Sequence, residues 1–185
     1  MVNTQRIKFI DTYIDNLTAS EAKECVNEVI RKPGYHYVVT PNADIIVKMH
    51  QDRELKDICE KADLILTDGQ IVVKLSRRYG TAIKERVCMT DFVWDVFDLA
   101  IEKEYKIFLL GGKEEILSKA TENVKKKLPK LNIVDSYSPP FGFEKDKKAL
   151  AETNERIRNS HADILIVFLG CPKQEKFIAQ NKDIY

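Results

Sequence analysis

This chain predicts an α/β fold on a mostly parallel, Rossmann-like sheet with helices on both faces, and three features carry that prediction. Short apolar runs rich in β-branched residues recur along it: YHYVVT (35–40), ADLILT (62–67), YKIFLLGG (105–112), LNIVDSY (131–137) and ADILIVFLG (162–170). Each has the length and composition of a strand. Between them lie longer segments whose apolar residues recur at helical spacing. The strand runs are close to continuously apolar, as parallel strands buried on both faces are.

Taken in order, a small N-terminal strand or hairpin spans 7–14. Thr18 and Glu21 stand at capping-box spacing ahead of AKECVNEVIRK, a helix that Pro33 and Gly34 stop. Helical spacing continues through DIIVKMHQDRELKDICEKA, QIVVKLSRRYG, DFVWDVFDLAIEKEY, KEEILSKATENVKKKL and DKKALAETNERIRNS. The stretch SPPFGFEKD (138–146) follows neither period and reads as a shaped loop, serving packing or walling a substrate. A length of 185 residues, 44% of them hydrophobic, suits a single domain over 1–185.

Charge excludes several function classes. The 30 basic and 29 acidic residues nearly cancel, so nothing global draws the chain to nucleic acid. The lysines at 125–127 and around 145–148 read as solvated helix ends. The start VNTQRIKFID lacks the basic, apolar and small-residue parts of a secretory signal, and no apolar stretch nears the roughly 20 residues of a membrane span. A cytoplasmic protein is expected, meeting lipid only peripherally. Cys25, Cys59, Cys88 and Cys171 form no CxxC pair, and His36, His50 and His161 have no ligand spacing, so no structural zinc is expected. Cys25 and Cys59 read as small buried hydrophobes.

Ligands of open α/β sheets bind beyond the carboxyl ends of the strands. Here those ends are polar, and four are expected to share one rim: Thr40-Pro41-Asn42-Ala43-Asp44, Thr67-Asp68-Gly69-Gln70, Gly111-Gly112-Lys113 and Gly170-Cys171-Pro172-Lys173-Gln174-Glu175. Asn42 suits a helix N-cap and equally a ligand contact. Asp68, directly after an apolar strand and before a glycine, is the candidate general base. Gly111 and Gly112 let backbone approach a ligand, with helix N–H groups near for a phosphate. Arg86 is either a diphosphate partner or a surface ion pair. There is no GxGxxG and no GxxxxGK[ST], so dinucleotide oxidoreductase and P-loop readings lose their support.

In this order and spacing, TPNADIIV, ADLILTDGQIVV, ERVxxTD and FLGCPKQEKFI resemble the WecG/TagA/CpsF glycosyltransferases (glycosyltransferase family 26), with SPPFGF and FLLGGKEE fitting as well. The likeness spans about residues 6 to 182. Two departures stand out: Met89 occupies a position where the family usually has glycine, and the chain stops at Asp183-Ile184-Tyr185, where family members generally continue into a basic appendage. It therefore reads as a truncated form or fragment lacking acceptor and membrane contacts.

The resemblance implies an inverting transfer of N-acetylmannosamine from its UDP donor to undecaprenyl-diphosphate-linked N-acetylglucosamine, as in teichoic acid linkage-unit synthesis. Alternatives are a UDP-N-acetylmannosaminuronic acid transferase or a non-catalytic nucleotide-binding domain. By motif position Asp68 is the base, Thr40 and Asn42 line the sugar pocket, and Arg86, Gly112 and Gln174 serve the donor. Partners implied are the UDP-sugar, the lipid-linked acceptor and the inner face of the cell membrane, reached through the missing C-terminal segment; a homo-oligomer is also admitted. The DxD-like triplet Glu144-Lys145-Asp146 is embedded in lysines, so transfer without metal or other cofactor is expected.

Overall fold

The computed structural model describes residues 5–182 and 184; residues 1–4, within the segment read above for a secretory signal, and 183 and 185 of the terminal tripeptide lie outside the described residues. The chain is α/β and divides into two compact units, Met1–Val96 and Phe97–Tyr185.

The first unit opens with the expected hairpin, β1 (Arg6–Phe9) antiparallel to β2 (Thr12–Asp15). Helix α1 (Ala19–Ile30) has the predicted capping box: Thr18 Oγ1 accepts from the Glu21 N–H at 3.2 Å, and Glu21 accepts from the Thr18 N–H at 2.7 Å. Strands β3 (Val38–Val39) and β4 (Leu64–Ile65) pair in parallel, and their ladder extends through Asp63 N–H to Tyr37 O and Leu66 N–H to Val39 O. The segment of continuous helical spacing between them is not one helix. It breaks into α2 (Ala43–Gln51) and α3 (Arg53–Glu60) at Asp52, whose extended backbone closes the first while its carboxylate accepts from the Leu55 N–H and starts the second. Helix α4 (Gln70–Arg78) follows β4, and its Val72 and Val73 join Ile7, Phe9, Ile14, Ile46 and Ile83 in one core.

An ion pair between the partly exposed Arg6 and the buried Asp15 ties the hairpin to β4. Arg6 donates to both carboxylate oxygens of Asp15, at 2.9 and 2.8 Å, and reaches the Ala62 and Asp63 carbonyls. Asp15 also accepts from the Ile65 N–H at 2.8 Å, fixing the strand that leads into Asp68.

Helix α5 (Met89–Lys103) carries the boundary between the units. In the second unit, β5 (Ile107–Gly111) lies between β6 (Ile133–Tyr137) and β7 (Ile164–Phe168), all parallel. Helix α6 (Glu114–Lys127) links β5 to β6, and α7 (Lys147–Ser160) links β6 to β7. The chain thus steps one way from β5 and then back across it, so right-handed crossovers put α6 and α7 on opposite faces. Phe108 and Leu110 on one face of β5 pack with Phe143, Ile157 and Phe177, the last on α8 (Lys173–Gln180), a helix the sequence reading did not separate from the strand end.

Gly111 marks the tightest point. Its φ is +105°, and a Cβ there would stand 2.8 Å from the Phe168 carbonyl oxygen and 2.9 Å from Leu169 Cδ2. Gly111→Ala is expected to cost at least about 2 kcal/mol, read as a lower urea midpoint with unchanged slope. An unchanged midpoint would mean that β5 and β7 separate freely at their ends.

Candidate active site

In the first unit the parallel pairing of β3 and β4 sets their carboxyl ends side by side. The Asp68 N–H lies 3.4 Å from the Pro41 carbonyl, and Thr67 Oγ1 donates to the same carbonyl at 3.4 Å. Asn42 is the N-cap of α2, its Oδ1 accepting from the Ile45 N–H at 3.0 Å, which leaves the carboxamide N–H₂ for other partners. Gly69 admits α4 close behind Asp68, since a Cβ there would meet Val72 Cγ2 at 2.7 Å. The Asp68 side chain is half-buried, and among the described residues nothing donates to its carboxylate. The Thr40 hydroxyl is likewise without a described partner. Thr40, Asn42 and Asp68 therefore form one polar strand-end group.

Arg86 belongs to the same unit. Its neighbour Val87 is buried and donates to the Thr67 carbonyl at 2.9 Å, which anchors this loop beside Asp68. The guanidinium is exposed and meets Asp91 only at 3.5 Å, a weak surface contact that leaves its donors available. Met89, at the family's glycine position, opens α5 without a positive φ, so this backbone makes no demand for glycine.

In the second unit the order β6-β5-β7 reverses direction between β5 and β7, the place where open sheets bind ligands. Gly112 lies there at φ +79° with open space where a Cβ would go. Its own N–H, however, donates to the Phe168 carbonyl at 3.1 Å, and its carbonyl accepts from Ser138 Oγ at 2.6 Å. Gly112 thus shapes the turn, its own N–H taken by β7 and open space left where a Cβ would stand. The following helix α6 has no side-chain cap, but Glu114 and Glu115 in its first turn oppose an anion.

Gln174 is held at both ends of its carboxamide. Oε1 accepts from the Gly170 N–H at 3.1 Å, and Nε2 donates to Glu175 Oε1 at 2.9 Å. The Gly170 N–H only donates and a carboxylate only accepts, so the orientation is determined twice. One amide hydrogen remains to point elsewhere. Glu175 itself is 4% exposed, and its other oxygen has no partner. This lock was not legible in the sequence, where Glu175 stood only as a strand-end residue; adjacency to Gln174 was the available signal.

The SPPFGF loop meets the packing purpose expected of it. Phe143 is buried with its ring 5.5 Å from Phe177, while Phe141 is fully exposed beneath Lys173 Nζ, 5.2 Å from the ring centroid. Lys173 also pairs with Glu144 at 3.2 Å. Burial pushes the Glu144 carboxyl up, but its own backbone N–H and Lys173 outweigh this and hold it below the ordinary value. Asp146 caps α7 through the Lys148 and Ala149 N–H groups, so the two carboxylates of the DxD-like triplet already have partners.

Parallel strand pairs that deliver a carboxylate, amides and tight glycines at their carboxyl ends place this chain among the α/β proteins, a class whose open sheets bind ligands beyond those ends. The chain belongs to the Glycosyl transferase WecG/TagA/CpsF family, whose model matches residues 7–185. Among its relatives is the N-acetylglucosaminyldiphosphoundecaprenol N-acetyl-beta-D-mannosaminyltransferase of Bacillus spizizenii, 30% identical over 149 residues, which are 80% of this chain and 56% of that protein. The Bacillus subtilis protein of the same name is 28% identical over 148 residues, with the same shares covered. The Staphylococcus aureus protein of that name is 23% identical over 183 residues, 98% of this chain and 70% of its own. The chain thus spans little more than half the length of the Bacillus relatives it matches.

Proposed function

We propose that this chain is the catalytic core of an inverting N-acetylmannosaminyltransferase that uses UDP-N-acetylmannosamine and an undecaprenyl-diphosphate-linked N-acetylglucosamine acceptor, in the linkage-unit step of wall teichoic acid synthesis. The observation that carries this reading is the Asp68 carboxylate, half-buried at the end of β4 with no described partner, in a chain whose relatives bear that enzyme name.

In the reaction, Asp68 takes the proton of the acceptor hydroxyl as that oxygen bonds to the sugar's anomeric carbon. The bond from that carbon to the diphosphate breaks, and its electron pair leaves with UDP. Thr40 and the Asn42 N–H₂ orient the sugar, and Arg86 receives the charge that develops on the diphosphate; Gln174 is assigned to the donor by motif position alone. In this reading the transfer uses no metal; Glu144 pairs with Lys173 and Asp146 caps α7, each through one carboxylate oxygen. No described helix is long and apolar enough to cross a membrane. In this reading the enzyme meets its lipid acceptor peripherally, at the inner face of the cell membrane.

The test is formation of the disaccharide lipid from a short-chain acceptor in the presence of a chelator. Product under chelator supports the metal-free reading; product only when magnesium or manganese is restored overturns it. Glu175→Gln supplies a finer test of the donor side. A glutamine there exchanges a charge-assisted bond for a neutral one and leaves the Gly170 N–H as the one fixed partner of the Gln174 carboxamide, so the donor KM is expected to rise several-fold, up to about tenfold. An unchanged KM would remove Gln174 from donor binding.

A further inference from the structure

We propose that the outer face of α4 is a docking surface for an anionic lipid membrane, set so that the candidate base lies beside it. On α4, Val72, Val73 and Ser76 face the core. Ile71 and Leu75 stand one turn apart on the exposed side next to that face, and Tyr79 continues their line just past the helix end. They are 62%, 39% and 63% exposed, which is costly for large apolar side chains left in water. Lys74, Arg77 and Arg78 lie along the solvent edge of this stripe, and the helix contains no acidic residue. None of the three forms an ion pair among the described residues.

An apolar stripe bordered by unpaired basic side chains and free of acids is the composition of a helix lying in a membrane interface, with its apolar side chains among the acyl chains and its cations at the headgroups. Charge argues against the other occupant an apolar face commonly takes, a second copy. Self-association about a two-fold axis would bring the patch, with its arginines and lysine, against itself. A second observation lies at the hairpin turn. Ile10 is exposed with φ 56°, a left-handed conformation that a β-branched residue adopts only at a cost and that Asn or Gly would adopt readily. Its neighbour Phe9 packs edge-on against Tyr79, with ring centroids 6.4 Å apart, so a strained and exposed isoleucine stands at the end of the same stripe.

The surface rests on the proposed function in one respect: it explains how Asp68, three residues before Ile71, would meet an acceptor anchored in lipid. Its test is independent of turnover. The chain is floated with vesicles of phosphatidylcholine alone and with phosphatidylglycerol added, with no acceptor present. Its sedimentation is measured in parallel, for the wild type, Ile71→Glu/Leu75→Glu and Lys74→Glu/Arg78→Glu. All four positions are outside the core, and circular dichroism checks that each variant is folded.

The expected result is partition onto anionic vesicles that falls at least tenfold in each double variant, that weakens with salt in the wild type, and that is slight on phosphatidylcholine. Absence of vesicle binding by the wild type, or binding indifferent to both variants, overturns the proposal. So does a dimer that Ile71→Glu/Leu75→Glu dissociates without any vesicle binding, which would assign the stripe to a second copy. A chain that floats as expected yet transfers no sugar would refute the reaction and leave the surface standing.

Discussion

Asp68→Asn is expected to lower the rate of sugar transfer by a factor of about 10² to 10⁴, the range for loss of a general base, while leaving UDP affinity within about twofold and the unfolding midpoint unchanged. The separation follows from the geometry. Asp68 makes its fold contacts through its backbone, the N–H toward Pro41 and the neighbouring Thr67 carbonyl to Val87, whereas its carboxylate makes none among the described residues. An isosteric amide therefore keeps the strand end and loses only the capacity to take a proton. If kcat survived and only the donor KM rose, Asp68 would be a binding residue and the base would lie elsewhere.

Asp15→Ala is expected to produce the largest loss of stability, about 2 to 4 kcal/mol, because it leaves the interior Ile65 N–H without its acceptor and removes both carboxylate bonds of the partly exposed Arg6 guanidinium. Arg6 loses both of its carboxylate bonds, and the Ile65 N–H loses its acceptor. Against a total stability of roughly 5 to 15 kcal/mol, this leaves the chain marginal. Replacing the pair together, Arg6→Met with Asp15→Leu, is expected to cost less, since no uncompensated charge remains. Urea unfolding of both variants checks this; equal losses would mean that the pair contributes through shape alone. Ile65 lies three residues before Asp68, so Asp15→Ala should also weaken transfer at temperatures where the protein remains folded.

What the sequence revealed and what it concealed divide along the range of the interactions. The Thr18–Glu21 capping box, the Asn42 cap and the buried thiols of Cys25 and Cys59 depend on neighbours within a turn or on simple apolar patterning, and all are found as read. The solvated lysines closing α6 follow the same local logic. The break at Asp52 was hidden because apolar spacing runs through it unbroken, while the residue serves as C-cap to one helix and N-cap to the next.

Longer-range features left no such trace. The Arg6–Asp15 pair acquires its importance from Ile65, fifty residues beyond Asp15. Gly112 advertised its conformational freedom, but the use of its N–H by Phe168 depends on the pairing of β5 with β7. The exposed face of α4 was visible as an amphipathic segment, yet which of its apolar residues stayed outside could be read only from the packing of Val72 and Val73. The boundary between the units falls inside α5, where no change of composition marks it.

The central claim is that these strand ends carry out N-acetylmannosamine transfer, and the most direct measurement offers a short-chain lipid-diphosphate N-acetylglucosamine with UDP-N-acetylmannosamine, UDP-N-acetylmannosaminuronic acid and UDP-N-acetylglucosamine in turn. The chain and a C-terminally extended form are compared by mass spectrometry of the lipid product. The account predicts a disaccharide lipid from UDP-N-acetylmannosamine, in greater yield from the extended form, and absent in its Asp68→Asn variant. Binding of UDP with no product from any of the three donors, even in the extended form, would contradict it and leave a nucleotide-binding protein without this chemistry.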